Sequence, residues 1–444
     1  MFKRKAYDKL LEWKEKYNGK YAALLEGARR VGKSTIAEEF AKNNYKSYIL
    51  IDFSKITKDE EEIFEDINDL DFFFLRLQAI KGITLYKRKS VIIFDEIQLA
   101  PKVRQAIKHL VKDGRYDYIE TGSLISIKKN VKNILIPSEE YKINVYPMDY
   151  EEFSLAIGNN YDLLKEINRI NKPIGQATNR KLSKDFRLYM IIGGMPQAVE
   201  AYINGENFSY IDRVKREILN LYYNDFYKID PSGRLSSFFN SIPSQLANNN
   251  RFYISKVTNK KITKKDSELL FDLINSNTVL PCYKVNDPSS SLNGTKDVSC
   301  FKLYLADTGL FTTLLFNDKL IVSDNIYNKL LSDKLDVNLG YLYENVMAQI
   351  IKSCNRDLYY SVFKTNTSTH SYEVDFLLTD NNKLVPIEVK SSNINNHKSI
   401  NEFKNKYKDK VSRSILFSFS DISNDDTLEL KPLYLGSVIV SELK

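Results

Sequence analysis

The chain has 444 residues, 27% charged and 43% hydrophobic, a balance that excludes wholesale disorder, fibrous classes and, at roughly 100–200 residues per domain, a lone small binding module. Net charge is +8, yet residues 331–444 carry 14 Lys and Arg against 15 Asp and Glu, so the positive excess lies in residues 1–330 and is compatible with nucleic acid or another polyanion as partner. Three cysteines (Cys282, Cys300, Cys354) and three histidines (His109, His370, His397) are too scattered for a zinc site or a disulfide framework. A reducing cytosol fits that usage, and without an apolar run of membrane-span length or a signal-peptide core, no membrane partner is expected.

Residues 1–17 have helical periodicity, and five short apolar runs then alternate with helical stretches. The predicted strands are 21–26, 47–53, 90–94, 116–121 and 141–146, an α/β rhythm. Amphipathic helices dominate from about 150 to 230, for example 185–192 and 210–226. Between 234 and 310 short helices alternate with β-like pieces, and residues 251–265 hold six Lys or Arg and no acid. On charge alone that segment, with Arg251, Lys256, Lys260 and Lys261, reads equally as a solvated face or as a nucleic-acid contact. A polar stretch at 318–338 reads as a linker, followed by a helix at 339–353 and strands at 371–378, 384–392 and 413–419.

The segment Gly27-Ala28-Arg29-Arg30-Val31-Gly32-Lys33-Ser34 fits G-x-x-x-x-G-K-[ST] between a strand and a helix, with Thr35 as the usual neighbour. Its glycines let backbone N–H groups and the helix N-terminus converge on phosphate oxygens, as in ATP. Lys33 then neutralises the β- and γ-phosphates, and Ser34 places its hydroxyl on Mg²⁺. The run VIIF ends in Asp95-Glu96, where Asp95 suits Mg²⁺ binding and Glu96 suits a general base toward water, so hydrolysis is expected rather than binding alone. The strand SYILIDF between the two motifs suggests that their strands are not sheet neighbours. Thr121 or Ser123, at the end of the next strand, is positioned to sense the γ-phosphate. Gln98 either shares the attacking water or caps the following helix. Arg104, Arg187, Arg213 and Arg216 are candidates for an arginine finger, which a homo-oligomer or a protein partner would supply in trans.

Near the C-terminus, Glu373-x-Asp375 and Glu388-x-Lys390 lie on two strands whose period of two puts each pair on one face. Charge directed into an apolar sheet needs a partner or a metal. Asp375, Glu388 and the Val389 carbonyl suit one Mg²⁺, Lys390 suits orientation or deprotonation of a water at a phosphodiester, and Glu344 adds a carboxylate from the preceding helix. The spacing Asp-x12-Glu-x-Lys is that of the PD-(D/E)XK nuclease fold, although Val374 stands where that pattern has proline.

An ordered series runs through nearly the whole chain: GARRVGKST (27–35), FDEIQ (94–98), ETGS (120–123), YPMDYEEF (146–153), IGGMPQAV (192–199), IPSQLANNNRFYISKV (242–257), FKLYLADTGL (301–310), YLYENV (341–346), EVDFLL (373–378) and PIEVKSS (386–392). In it the chain resembles a prokaryotic family of AAA-type P-loop ATPases with a middle domain of unknown function and a C-terminal nuclease-like domain. The resemblance implies an α/β fold class with an AAA-like parallel sheet at 1–155, a helical lid at 156–233, a winged-helix-like module at 234–317, a linker at 318–338 and a restriction-endonuclease-like α/β domain at 339–444. It leads to the expectation of an ATP-hydrolysing protein acting on DNA, with Mg²⁺-dependent cleavage by the C-terminal domain. The alternative is a nucleotide-gated switch or scaffold whose C-terminal domain only binds a protein or nucleic acid.

Overall fold

A computed structural model describes residues 2–17, 19–123, 135–249, 251–258, 261–289, 291–316, 324–332, 340–365, 370–391, 397–424 and 428–444. The chain divides into two compact units, 1–146 with 275–277, and 147–274 with 278–444.

The first unit is built on β1 (Ala22–Glu26), β2 (Ser47–Asp52), β3 (Ser90–Asp95), β4 (Asp117–Gly122) and β5 (Glu140–Asn144). All pairings are parallel and the order is β2-β3-β4-β1-β5. Parallel strands covered on both faces require unbroken apolar runs, which is why AALLE and SVIIF were readable as strands. The helix Pro101–Asp113 lays Val103, Ile107, Leu110 and Val111 against one sheet face, where Leu24, Ile51, Ile92, Phe94 and Tyr118 complete the core. The two motif strands β1 and β3 are indeed not neighbours, but the strand between them is β4, and Ser47–Asp52 lies at the sheet edge.

The second unit opens with helices Tyr150–Ala156, Asp162–Ile170, Gln176–Ile192, Pro196–Ile203 and Phe208–Ile229. Four helices among the described residues of 234–275 then lead into a hairpin, β6 (Val279–Val285) and β7 (Lys296–Leu305). The hairpin is not a free wing: β6 pairs in parallel with β8 (Leu358–Lys364), giving a sheet β7-β6-β8-β9 with β9 at Ser371–Val374. A second sheet, β10-β11-β12-β14-β13, contains β10 (Phe376–Asp380), β11 (Lys383–Val389), β12 (Ile415–Ser418), β13 (Ser423–Asn424) and β14 (Glu429–Pro432).

Lid, module and C-terminal domain, expected as successive bodies, therefore fall in one unit. The reason is long-range bonding: Asp421 accepts from the backbone N–H groups of Ile174 (3.0 Å) and Gly175 (2.8 Å), and Tyr434 donates to Asn179 (2.9 Å). Inside the expected linker, Asp324–Leu331 is a helix whose buried Tyr327 donates to Asp212 at 2.7 Å. Among the described residues no helix is long and apolar enough to cross a membrane.

Candidate functional site

At the C-terminal end of the first sheet, the loop after β1 turns into the helix Lys33–Asn44 through Gly32, whose φ of 96° is left-handed. Gly27 is required for space, because a Cβ there would lie 2.1 Å from the Val145 carbonyl oxygen. Ala28 and Val31 are buried beneath the loop, while Arg30 and Thr35 are exposed and Arg29 is half-buried. The Lys33 ammonium is held inside the loop, donating to the carbonyls of Ala28 (2.9 Å) and Gly27 (3.1 Å). The ammonium is thus held against the loop that leads into the positive end of its own helix, an arrangement suited to phosphates.

Asp95 ends β3, and its Oδ1 accepts from the Ser34 hydroxyl at 2.7 Å and from the Thr121 hydroxyl. The sheet order makes this possible, since β4, which carries Thr121, sits between the strands of the two motifs. Hydroxyl and carboxylate side by side are the oxygen donors that a hard Mg²⁺ ion takes, so these residues fit the ion. Glu96 follows in a left-handed conformation (φ 55°, ψ 44°), its N–H donating to Thr121 Oγ1 at 3.3 Å. A non-glycine residue held there is strained, and such strain commonly marks a working position. Gln98 is buried and donates from Nε2 to Glu96, so it orients that carboxylate. Ser123 is half-buried beyond β4.

The finger candidates separate. Arg104 is buried in a bidentate pair with Glu140, both bonds 2.8 Å, and is not available to a nucleotide of a neighbouring copy. Burial opposes its charge, but Glu140, Glu120 and Glu26 outweigh it. Arg216 pairs with Asp212 at 2.7 Å, Arg187 lies 4.0 Å over the Phe419 ring, and Arg213 is exposed.

The second cluster forms where the run Ser371–Asp380 changes partners. Up to Val374 it pairs with β8; from Phe376 it pairs with β11. Asp375 sits at that switch and accepts from the Val389 N–H at 2.8 Å. Lys390 pairs with Glu388 Oε1 at 2.8 Å, and Glu388 Oε2 is buried without a hydrogen-bond partner. Burial, with Glu344 and Glu388 nearby, pushes the Asp375 carboxyl up to about 8. Asp375, Glu388 and Lys390 thus lie at one end of β11, and a carboxylate oxygen without a hydrogen-bond partner beside a second carboxyl is a donor set that suits a divalent cation. Among the described residues, no three His, Cys, Asp or Glu side chains group as metal ligands, so such an ion would rest on two carboxylates, the Val389 carbonyl and water. Glu344 is nearby but engaged elsewhere: its Oε2 accepts from Lys302 (3.1 Å) and Tyr304 (2.7 Å).

Lys302 and Tyr304 were missed by sequence reasoning. In FKLYL they alternate with apolar residues, the pattern of a solvated strand face, yet both are buried. In the basic segment, Lys256 and Lys261 are exposed, Arg251 is half-buried, and Lys260 lies outside the described residues. Phe252 is core, stacked on Phe301.

A family model described as a domain of unknown function (DUF8612) matches residues 183–320, and another so described (DUF4143) matches 339–433. An uncharacterized protein of Methanocaldococcus jannaschii, MJ1637, is 27% identical over 218 residues, 45% of this chain and 43% of that protein, so the chain covers less than half of its relative. Among solved structures, the Walker-type ATPase of Pyrococcus abyssi is 18% identical with a TM-score of 0.43, covering 71% of this chain and 96% of that one. Cdc6p of Pyrobaculum aerophilum is 13% identical with a TM-score of 0.23, covering 74% and 93%. Residues 19–154 match a family model described as an AAA domain, and with the parallel sheet and phosphate loop just described they form an AAA-type P-loop domain.

Proposed function

We propose that the protein hydrolyses ATP at the first site and acts on DNA through the second unit, with Mg²⁺-dependent phosphodiester cleavage at Asp375, Glu388 and Lys390. The observation that carries the ATPase reading is the meeting of Ser34, Asp95 and Thr121 at one carboxylate oxygen beneath the loop. Lys33 and the loop N–H groups bind the phosphates, and Glu96, oriented by Gln98, takes a proton from the attacking water. Mg²⁺, when bound, supplies charge neutralisation to the transferring phosphoryl group.

At the second site the orphaned Glu388 oxygen and the raised Asp375 carboxyl support a divalent-ion site, and Lys390 is close enough to orient a water. The exposed Lys256 and Lys261 support contact with DNA phosphates. A second reading, a nucleotide-gated switch whose C-terminal region only binds, is favoured by one observation: Lys302 already occupies Glu344 and Glu373.

The test incubates full-length protein with plasmid and linear DNA, with and without Mg²⁺ and ATP, beside Lys390→Ala, following DNA integrity and phosphate release. Cutting is expected to need Mg²⁺ and Lys390, with phosphate release unchanged in the variant. Intact DNA with DNA-stimulated phosphate release would replace cleavage by the switch reading. Phosphate release indifferent to DNA, with no cutting, would overturn the DNA reading.

A further inference from the structure

Four carboxylates, Glu344, Glu373, Asp375 and Glu388, crowd the point where β9 gives way to β10, and the charges that answer them are unevenly placed. Lys390 serves Glu388 Oε1. Lys302 reaches in from β7, its ammonium 2.8 Å from Glu373 Oε1 and 3.1 Å from Glu344 Oε2, with the Tyr304 hydroxyl on the same Glu344 oxygen. Its side chain is 1% exposed, and the Tyr360 ring closes over it at 5.4 Å. Burial opposes the charge, but Glu344, Tyr304, Glu373 and Asp375 outweigh that and hold the ammonium protonated well beyond the ordinary lysine range. On the other side, Asp375 has one backbone N–H and Glu388 Oε2 has no hydrogen-bond partner. One half of the cluster is thus bridged by a covalently attached cation, while in the other half Lys390 answers one Glu388 oxygen and leaves Oε2 without a hydrogen-bond partner.

We infer that Lys302 is a built-in cation standing where a second divalent ion would otherwise sit, so that the cluster takes one divalent ion, between Asp375 and Glu388, and not two. This rests on the reading of the cluster as a divalent-ion site. An ammonium bridging two carboxylates meets part of the electrostatic demand that a hard divalent ion with oxygen ligands would meet, without depending on metal supply. Lys302 is therefore a positioning residue: it fixes Glu344 and Glu373, denies them to a metal, and leaves phosphodiester chemistry to one ion assisted by Lys390 rather than to a paired-ion clamp.

The test uses nucleotide-free, full-length protein carrying Asp95→Asn, which removes the carboxylate that would hold Mg²⁺ at the nucleotide site. Bound Mn²⁺ is counted by paramagnetic resonance, and melting is followed in EDTA and in Mn²⁺. The parent is expected to bind one Mn²⁺, Lys302→Met to bind two, and Lys302→Arg, which keeps the charge, to stay at one. Lys302→Met should also melt lower in EDTA and recover in Mn²⁺ by more than the parent gains. An unchanged ion count in Lys302→Met, two ions in Lys302→Arg, or a Lys302→Met chain that stays unfolded in Mn²⁺ would each overturn the inference. Asp375→Asn tests the underlying reading separately: it should lose the parent's ion, and if it does not, the Asp375–Glu388 site falls while any gain in Lys302→Met over its parent still stands for Lys302.

Discussion

Gly194→Ala probes what IGGMP and ADTGL do. The helix Gln176–Ile192 ends at Gly193 (φ 83°, ψ −171°), a conformation that only glycine adopts freely. The next residue is locked by its backbone: the Gly194 N–H donates to Asp307 at 2.6 Å, and its carbonyl accepts from the Met148 N–H at 2.7 Å. A Cβ on Gly194 would lie 2.0 Å from the Met148 carbonyl oxygen and 2.6 Å from its nitrogen. No side-chain rotation relieves this, since both contacts are backbone and the Met148 carbonyl is also held by the Tyr189 hydroxyl at 3.0 Å. Overpacking against movable side chains costs 1–3 kcal/mol, so a clash with pinned backbone should cost about 3 kcal/mol or more. At roughly 2 °C per kcal/mol for a large unit, melting should fall by about 6 °C in scanning calorimetry. ATP affinity, which the proposed function assigns to residues 27–34, should hold, and fluorescence of Trp13, the single tryptophan, reports on the first unit alone. A variant melting within about 1 °C of the parent would refute the interlock and return these glycines to a functional role.

Lys33→Ala should abolish ATP binding by calorimetry, and Glu96→Gln should keep it while turnover falls at least about 100-fold; unchanged affinity in the first, or normal turnover in the second, would reassign the site. Lys215 is buried, donating to the Ile191 carbonyl (2.8 Å) and Tyr327 (3.1 Å), and burial lowers its pKa from 10.5 to about 8 against the pull of Asp212 and Asp307. Between those values the unfolded chain holds the extra proton, so this residue's contribution to stability is present above about pH 10.5 and is lost as pH falls through 8. In urea unfolding, the stability of the parent minus that of Lys215→Met should rise by about 3 kcal/mol from pH 7.5 to 10.5, and a flat difference would show that Lys215 is solvated.

Locally encoded features were legible in the sequence. Five parallel strands lay within one or two residues of their expected places because both faces of the sheet are covered, and the phosphate loop was legible because its chemistry is written in eight consecutive residues. Partners distant in the chain were not. That β4 lies between the motif strands depends on how strands are ordered, which no single strand records. The ion pair that removes Arg104 from the finger candidates depends on Glu140 from another element. Lys302 and Tyr304 alternate with apolar residues as a solvated face would, and only the packing of Glu344 and Glu373 against them reverses that reading.

The ordered motifs of the second unit acquire meaning as pairs. In FKLYLADTGL, Lys302 and Tyr304 hold Glu344 of YLYENV, the Leu305 N–H donates to Asn345 of the same motif at 2.8 Å, and Asp307 closes on Gly194 of IGGMP. Thr308 then donates to Gln349 at 2.7 Å, and Gln349 in turn donates to Tyr189 at 2.9 Å. One strand and its following turn thus tie the carboxylate cluster to the glycine turn through a continuous set of buried hydrogen bonds. Buried polar groups in such a chain must all be satisfied together, because each loss leaves a desolvated partner. That shared requirement accounts for polar residues in a stretch otherwise apolar enough to be core, and it gives the motifs a structural reason to occur as a set.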